Sequence, residues 1–229
     1  MNIFPPLARL ARAMAERRGK LATILIALAV YGILVSILVA ELTTRPGAPH
    51  PMRAVTIGLL IAWLLLESPV SMRVSSDDER GEDRGTLLLN ALSRGLAVVA
   101  ALALPSLWTR WNGAQTAGLV LFVAGFGFRL AAIRQLGRFY SHKVRRAEGH
   151  EIIDQGPYRV VRHPAYLGVI AAHLGFALVF LNPWSALAVA VLVIPAFVWR
   201  IHVEEPMLMQ IPGYAEYARD HARLLPGLW

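Results

Sequence analysis

Residues 166–199 decide the fold of this chain: YLGVIAAHLGFALVFLNPWSALAVAVLVIPAFVW. The stretch holds two apolar arms without Asp, Glu, Lys or Arg, and Asn182-Pro183-Trp184 separates them. An Asn-Pro pair between two apolar segments is typical of a turn, and apolar arms that approach about 20 residues are typical of membrane helices. We therefore predict that residues 166–181 and 185–199 form a tight transmembrane hairpin.

Four further apolar blocks precede the hairpin. The composition agrees with a membrane protein, since 56% of the 229 residues are hydrophobic and the mean hydropathy is +0.49, outside the usual range of soluble domains. The first block is longer than the core of a signal peptide and lacks a small-x-small cleavage site, so we expect it to stay as a helix. We predict an all-α integral membrane protein with about six transmembrane helices. The four blocks are residues 21–40, 54–72, 96–107 extended by 87–92, and 114–133.

Positive charge is distributed unevenly between the two predicted sides of the membrane. With the N-terminus inside, most of the 23 Lys and Arg residues fall on that side, as expected for cytoplasmic loops. We predict that both termini are cytoplasmic and, because the composition is rich in Ala and Arg, that the membrane is the inner membrane of a bacterium. The basic residues are dispersed among loops, so the net charge of +8 indicates no nucleic-acid partner. The absence of cysteine excludes disulfides and cysteine-ligated metals, and we predict no metal site.

The predicted hairpin brings distant polar residues together at its open end. Because both arms meet the same face of the membrane, His163 must lie near Arg200 and Glu204 despite their separation in sequence. A helix begins directly after His163, and its first N–H groups carry the positive end of the helix dipole. A single Arg, His or Tyr at headgroup level is more often an anchor than a ligand, and we expect Arg159 and Arg162 to face headgroups. The convergence of the whole set indicates a site.

Two charged residues and one glycine pair lie within the predicted helices. Glu67 and Arg129 fall at similar depth and are expected to pair, either as a structural ion pair or as groups that line the path of a lipophilic acceptor. Gly125-Phe126-Gly127 has no preceding strand, so it is not the phosphate loop of a Rossmann fold. We expect these glycines to allow close helix packing.

Three separated motifs carry a family resemblance. In order, they are GHEIIDQGPYRVVRHPAYLG at residues 149–168, RIHVEEPML at 200–208 and YAEYARDHARLLPGLW at 214–229. With a helical hairpin between the first two, this arrangement resembles the isoprenylcysteine carboxyl methyltransferases, and more broadly the membrane methyltransferases that include the phospholipid N-methyltransferases. The resemblance covers roughly residues 125–229 and implies a cytoplasmic pocket for S-adenosylmethionine.

The resemblance also implies the site residues. Arg200 matches the arginine of the substrate side and Glu204 matches an acidic residue that helps to hold the cofactor, so these two are the expected catalytic residues. Independently of the resemblance, the position of Glu67 and Arg129 within the predicted helices adds these two residues to the expected substrate side. A further polar contact to the cofactor aligns with either Lys143 or Arg145. The expected cofactor-binding residues are His150, Glu151, Ile152, Ile153, Tyr158, His163, Pro164, Ala165, Tyr166, Glu204 and Glu205.

We expect two functional regions. Residues 1–113 form transmembrane helices on the acceptor side, and residues 114–229 form the methyltransferase core. We predict a methyltransferase that uses S-adenosylmethionine on a lipophilic acceptor, most like carboxyl O-methylation of an isoprenylcysteine-type substrate. One alternative is a phospholipid or amine N-methyltransferase. Another is a membrane transporter or assembly factor without enzymatic activity. The lipid bilayer is the expected environment, and the oligomeric state stays open.

Overall fold

The computed structural model describes residues 25, 28–40, 42–43, 51–74, 85–137 and 152–229. Within those ranges all regular secondary structure is helical, apart from one isolated parallel bridge between Val161 and Ala222. The all-α prediction is therefore confirmed for the described residues. The chain divides into residues 1–62 and 63–229. The first unit contains α1, Leu28–Ala40, and the start of α2, Pro51–Val74.

The second unit holds the rest of the helices. In chain order they are α3 Thr86–Ala103, α4 Gly113–Leu136, a 3₁₀ turn Gly156–Arg159, α5 Pro164–Val179, α6 Pro183–Ala188, a π-helical turn Val189–Val193, α7 Ile194–Leu208 and α8 Tyr214–Asp220. Three helices of the described part are long and apolar enough to cross a membrane, namely α3, α4 and the continuous helix Pro183–Leu208. Helices α1 and α5 are apolar but shorter. Membrane helices are thus present, whereas six crossings and cytoplasmic termini stay predictions.

The predicted hairpin turn is present and is held by side-chain caps. The Asn182 side chain accepts from the backbone N–H of Ser185 at 2.8 Å, and the Ser185 hydroxyl lies 3.2 Å from the Asn182 nitrogen, which forms a capping box. Pro183 occupies the first turn of α6, where its missing N–H costs nothing. The Asn182 amide also donates to the carbonyl of Ala100 at the end of α3. This region is called the hairpin-turn end below.

Glycines allow α4 and α5 to pack with their backbones in close contact. A Cβ added at Gly125 would meet the Gly168 carbonyl oxygen at 2.7 Å, and one at Gly168 would meet the Gly125 oxygen at 2.7 Å. Gly175 faces Gly118 and Phe122 in the same way. The packing role expected for Gly125 is confirmed, because no larger residue fits there. A Cβ added at Gly127 would meet no atom of the described residues within 4 Å, so the packing role expected for this second glycine is wrong as far as those residues are concerned.

Helix α3 runs alongside the hairpin from one end to the other. Its first residue, Thr86, contacts Arg200 of α7, and its last turns approach Asn182. The end of the second unit where Thr86 and Arg200 meet is called the site end below. One face of α3 is buried along this whole length, and it consists of Thr86, Asn90, Ser93, Ala97 and Ala101.

Candidate functional site

The segment that leads into α5 is held by the C-terminal tail. The backbone N–H of Arg162 donates to the Ala222 carbonyl at 2.8 Å, and that of His163 donates to the Arg223 carbonyl at 3.0 Å. His163 then precedes α5 as its N-cap, and Pro164 takes the first helical position. The tail therefore fixes the position from which the His163 side chain enters the site.

His163 and Tyr166 form a flat, parallel pair at the site end. Their ring centroids are 5.5 Å apart and their planes differ by 4°. The Tyr166 hydroxyl accepts from the Nε of Arg200 at 2.8 Å and donates to Glu204 at 2.6 Å. The Tyr166 hydroxyl thus connects the two charged residues that the sequence analysis singles out. Tyr166 lies on the first arm of the hairpin, and Arg200 and Glu204 lie on the second. The predicted convergence is confirmed.

Arg200 is only 4% exposed, and two hydrogen bonds hold its guanidinium group. Besides its bond to Tyr166, it donates from Nη1 to the Thr86 hydroxyl at 3.0 Å. Thr86 is a site residue that the sequence analysis missed. Its only signal in the sequence is a polar side chain at the start of an apolar helix, and nothing there indicates Arg200 as its partner. The bond makes α3 part of the site.

Glu205 is the centre of a buried polar cluster next to this site. Its oxygens accept from Arg162 at 2.6 Å and from the Tyr214 hydroxyl at 3.0 Å, and one lies 2.8 Å from the Nε2 of His163. The expectation that Arg162 faces headgroups is wrong, because a buried carboxylate requires a charged partner and Arg162 supplies it. Burial and the nearby carboxylate raise the pKa of Tyr214, so its hydroxyl stays a donor.

The two neighbouring glutamates therefore have different environments. The side chain of Glu204 is 22% exposed and that of Glu205 is 6% exposed. The described contacts use both Glu205 oxygens, whereas Glu204 is held by Tyr166 and lies 4.0 Å from the Nδ1 of His163. Glu204 is the carboxylate that a bound molecule can reach. Glu205 is placed to orient His163, and a direct contact of Glu205 with a cofactor stays a prediction.

The remaining expected cofactor residues lie on the segment before α5. Tyr158 is buried in a cluster with Ala132 and Ala165, against which Ile153 packs, while Ile152 packs near Tyr214. The Tyr158 carbonyl accepts from the Tyr217 hydroxyl at 2.6 Å, a support the sequence analysis missed although tyrosines three residues apart on α8 share a face. The expected contacts His150 and Glu151, and the alternatives Lys143 and Arg145, lie outside the described residues.

The expected pair of Glu67 and Arg129 is present. Arg129 donates from Nε and Nη2 to the two carboxylate oxygens, the latter at 3.1 Å, and Trp63 also donates to Glu67. Both charged residues are buried. Arg129 also donates from Nη1 to the carbonyl of Ala165 at 3.3 Å. The pair therefore supports the first turn of α5, and its role towards a substrate stays a prediction.

Comparison with known proteins places these motifs in one family. The profile of the isoprenylcysteine carboxyl methyltransferase (ICMT) family matches residues 118–210. "Protein-S-isoprenylcysteine O-methyltransferase B" of Arabidopsis thaliana is 40% identical over 106 residues, which are 44% of this chain and 54% of that protein. "Probable protein-S-isoprenylcysteine O-methyltransferase" of Oryza sativa subsp. indica is 34% identical over 130 residues, which are 55% of this chain and 68% of that protein. This chain spans about half the length of the Arabidopsis relatives.

The fold is also similar to a solved structure. That structure is described as the eukaryotic intramembrane Ras methyltransferase ICMT without a monobody. The superposition has a TM-score of 0.56 at 19% sequence identity, and it covers 91% of this chain and 85% of the other. At this identity the likeness concerns the fold, and it extends to residues outside the matched family profile.

Proposed function

This chain belongs to the isoprenylcysteine carboxyl methyltransferase family, and on that premise we propose that it transfers a methyl group from S-adenosylmethionine to the carboxylate of a lipophilic acceptor. The observation that carries the proposal is the bonded set of Tyr166, Arg200 and Glu204, stacked on His163, at the site end. Arg200 and Glu204 lie on the helix Pro183–Leu208, which is long and apolar enough to cross a membrane, so an acceptor held in the lipid would approach them from the bilayer. We place the site at the cytoplasmic face, since basic residues dominate the loops predicted there.

The residues present fit S-adenosylmethionine. The cofactor carries an adenine ring, ribose hydroxyls and a charged amino-acid end, and when bound it supplies an electrophilic methyl group on a sulfonium. Aromatic rings attract such a cation and cover flat rings, and Tyr158 and Tyr166 are the rings we assign to this purpose. The partly exposed carboxylate of Glu204 would accept from hydroxyl or ammonium groups. His163, at the N-terminus of α5, completes this side of the site.

The residues of this chain would promote the reaction mainly by positioning. A carboxylate acceptor is already a nucleophile at neutral pH, so no general base is required. Arg200 would bind that carboxylate through charge-assisted hydrogen bonds. Because Tyr166 and Thr86 hold its Nε and Nη1, the guanidinium plane is oriented before the acceptor arrives, and such preorganisation lowers the barrier. Burial of the site excludes water that would compete for the guanidinium.

The N-methyltransferase alternative requires one more step. An amine acceptor must lose a proton before it can attack, and Glu204 and His163 are the groups near enough to take it. The carboxyl reaction is favoured, because a buried arginine attracts a carboxylate and repels an ammonium ion. The non-enzymatic alternatives predict no affinity for S-adenosylmethionine.

Calorimetric titration of the purified protein with S-adenosylmethionine tests the cofactor. We expect binding to the unaltered chain and about 10- to 100-fold weaker binding for Glu204→Gln, since one charge-assisted contact is worth about 1.5–3 kcal/mol. Glu216→Gln, at an exposed position of α8, is the matched control and should bind like the unaltered chain. Absence of binding heat from the unaltered chain would defeat the proposal.

Transfer of a labelled methyl group to a lipid extract tests the acceptor chemistry. A carboxyl methyl ester releases its label as methanol in alkali, whereas an N-methyl group retains it. We expect the label to be released by alkali. Retention of the label would exclude a carboxyl methyl ester and favour the amine alternative.

We also propose that Glu67 and Arg129 line the path of the acceptor. Arg129→Leu would break the pair with Glu67 and the bond to Ala165, and we expect it to weaken acceptor binding more than cofactor binding. Titrations of the same variant with each molecule measure the two effects. Equal losses of both affinities would restrict the pair to a structural role.

A further inference from the structure

The tail presents apolar side chains on the surface of the molecule at residues 225–229, which are called the tail tip below. Leu228 is 81% exposed and Leu225 is 46% exposed, and Pro226 and Gly227 between them are exposed as well. A single exposed leucine requires no explanation. A contiguous apolar surface, in contrast, marks a contact with a partner or with a membrane.

The backbone of the tail tip forms hydrogen bonds within the tail. The N–H groups of Leu228 and Trp229 both donate to the Leu225 carbonyl at 3.1 Å. The N–H of Leu224 donates to the Trp229 carbonyl at 3.2 Å, and Pro226 has no N–H to satisfy. Backbone groups that are paired internally lose little when they leave water. This pairing is what a segment requires if it is to lie among lipids.

The tail tip is attached to the outer face of α7. The Trp229 ring stacks on His202 with the ring centroids 5.5 Å apart. His202 is exposed and lies three residues after Trp199, so the two share a helix face. Trp199 is 53% exposed and belongs to the helix Pro183–Leu208, which is long and apolar enough to cross a membrane. The tail tip therefore continues the lipid-facing side of this helix at the site end.

Arg223 adds a positive charge beside this surface. Its Cζ lies 5.1 Å from the centroid of the Trp229 ring. Its side chain remains 33% exposed, with Nε at 3.7 Å from Glu205. Tryptophan is enriched at the headgroup level of membranes, and phospholipid headgroups attract a basic side chain at the same level. The charge and the apolar side chains together are complementary to a phospholipid leaflet.

We propose that the tail tip is a membrane anchor, with the Leu225 and Leu228 side chains among the lipids of the leaflet at the site end. The occupant of this surface is the phospholipid itself. Its headgroup phosphates lie near Arg223, and the upper part of its acyl chains packs on the two leucines. The anchor is separate from methyl transfer, since neither leucine is assigned to the cofactor or to the acceptor. The tail is then held by α7 on one side and by lipid on the other.

Spin-label accessibility in phosphatidylcholine nanodiscs tests the anchor. The chain contains no cysteine, so Pro226→Cys provides a single attachment site for a nitroxide between the two leucines. Its collisions with oxygen, which concentrates in lipid, are compared with its collisions with a nickel chelate, which stays in water. We expect the oxygen-to-nickel ratio to be at least about threefold higher than at Glu216→Cys, because interfacial apolar groups are buried about 5–10 Å into the headgroup boundary. Glu216 is the matched control, at an exposed position of α8.

Removal of the leucines tests whether they hold the tip in the lipid. In the triple variant Leu225→Ser/Pro226→Cys/Leu228→Ser, we expect the ratio to fall to within about twofold of the Glu216→Cys value, because the apolar transfer free energy of both side chains is lost. Ala215→Ser/Pro226→Cys changes an exposed residue of α8 instead. It should keep the high ratio.

Three results would overturn the proposal. Frequent collisions of the Pro226→Cys label with the nickel chelate would place the tip in water. Rare collisions with both reagents would place it against protein, either a second copy of the chain or another partner. A high ratio that persists without the leucines would show that they are not the anchor. If the triple variant does not fold, the comparison of Pro226→Cys with Glu216→Cys decides the matter.

Discussion

At the scale of residues, the hydroxyl of Tyr166 connects the two charged side chains of the site. It accepts from Arg200 and donates to Glu204, so it holds a cation and an anion in register. Its ring meanwhile packs between His163 and Phe197. The ring and the hydroxyl therefore have separable purposes, and one substitution distinguishes them.

Tyr166→Phe retains the ring and removes the hydroxyl. We expect kcat/KM for methyl transfer to fall about 10- to 100-fold, because hydrogen bonds to charged groups are worth about 1.5–3 kcal/mol. The unfolding temperature should change little, since the ring contacts remain. Tyr217→Phe, which removes a buried hydroxyl bonded to the Tyr158 carbonyl, is the control. It should lower the unfolding temperature, and it should reduce kcat/KM less than Tyr166→Phe does. A kcat/KM unchanged in Tyr166→Phe would remove this hydroxyl from the proposed mechanism.

At the scale of elements, the contact between α4 and α5 determines where the site lies. The two helices meet through the backbone at Gly125 and Gly168, and Arg129, one turn beyond Gly125, reaches the carbonyl of Ala165. A displacement of α4 would therefore move the first turn of α5, which carries Tyr166. We therefore expect substitutions to disturb the site only when they fall on the face of α4 that packs against α5.

Gly125→Ala and Gly127→Ala form a matched pair on that helix. An added methyl group at Gly125 meets the backbone of α5, and overpacking of this kind costs about 1–3 kcal/mol of unfolding free energy. At Gly127 the methyl group meets no atom of the residues that the structure describes, and the better helix propensity of Ala should leave stability equal or higher. Unfolding in denaturant measures both variants. Equal destabilisation of the two would show that the helix contact is not as close as described.

Some of these features can be predicted from the sequence and others cannot, depending on whether the signal is local. Apolar length and the Asn182-Pro183 turn predict the hairpin, because both signals are local. Gly125 and Gly127 are indistinguishable in sequence, since only the packed neighbour reveals which one requires the absence of Cβ. The contact of Thr86 with Arg200 joins residues 114 positions apart, and no local signal encodes it. For Arg162 the sequence predicts the wrong environment, because its partner Glu205 is recognisable only after the hairpin has brought the two together.

At the scale of the whole molecule, the C-terminal tail links the segment before α5 to the end of the chain. Backbone bonds from Arg162 and His163 reach the tail, and Trp229 stacks on His202 of α7 at 5.5 Å. The tail residues have no assigned contact with the cofactor, but they determine the position of His163, which is an expected cofactor-binding residue.

Removal of residues 222–229 tests this long-range support. We expect affinity for S-adenosylmethionine to fall about tenfold or more in calorimetry, because the N–H groups of Arg162 and His163 lose their acceptors and the segment becomes free to move. Leu228→Ser, at a position 81% exposed, is the control for the tail and should leave the affinity unchanged. Full affinity after truncation would show that the segment before α5 keeps its conformation unaided.

The hairpin turn has a consequence for how the protein enters its membrane. Helix α5 has 16 residues, short of the roughly 20 that a crossing needs, so alone it is a poor substrate for insertion. The cap of Asn182 and Ser185 joins it to the 26-residue helix that follows. The insertion machinery would therefore accept the two arms as one unit during translation, and a ribosome stalled before the second arm should leave the first outside the lipid. Protease protection of such stalled chains measures this order of events.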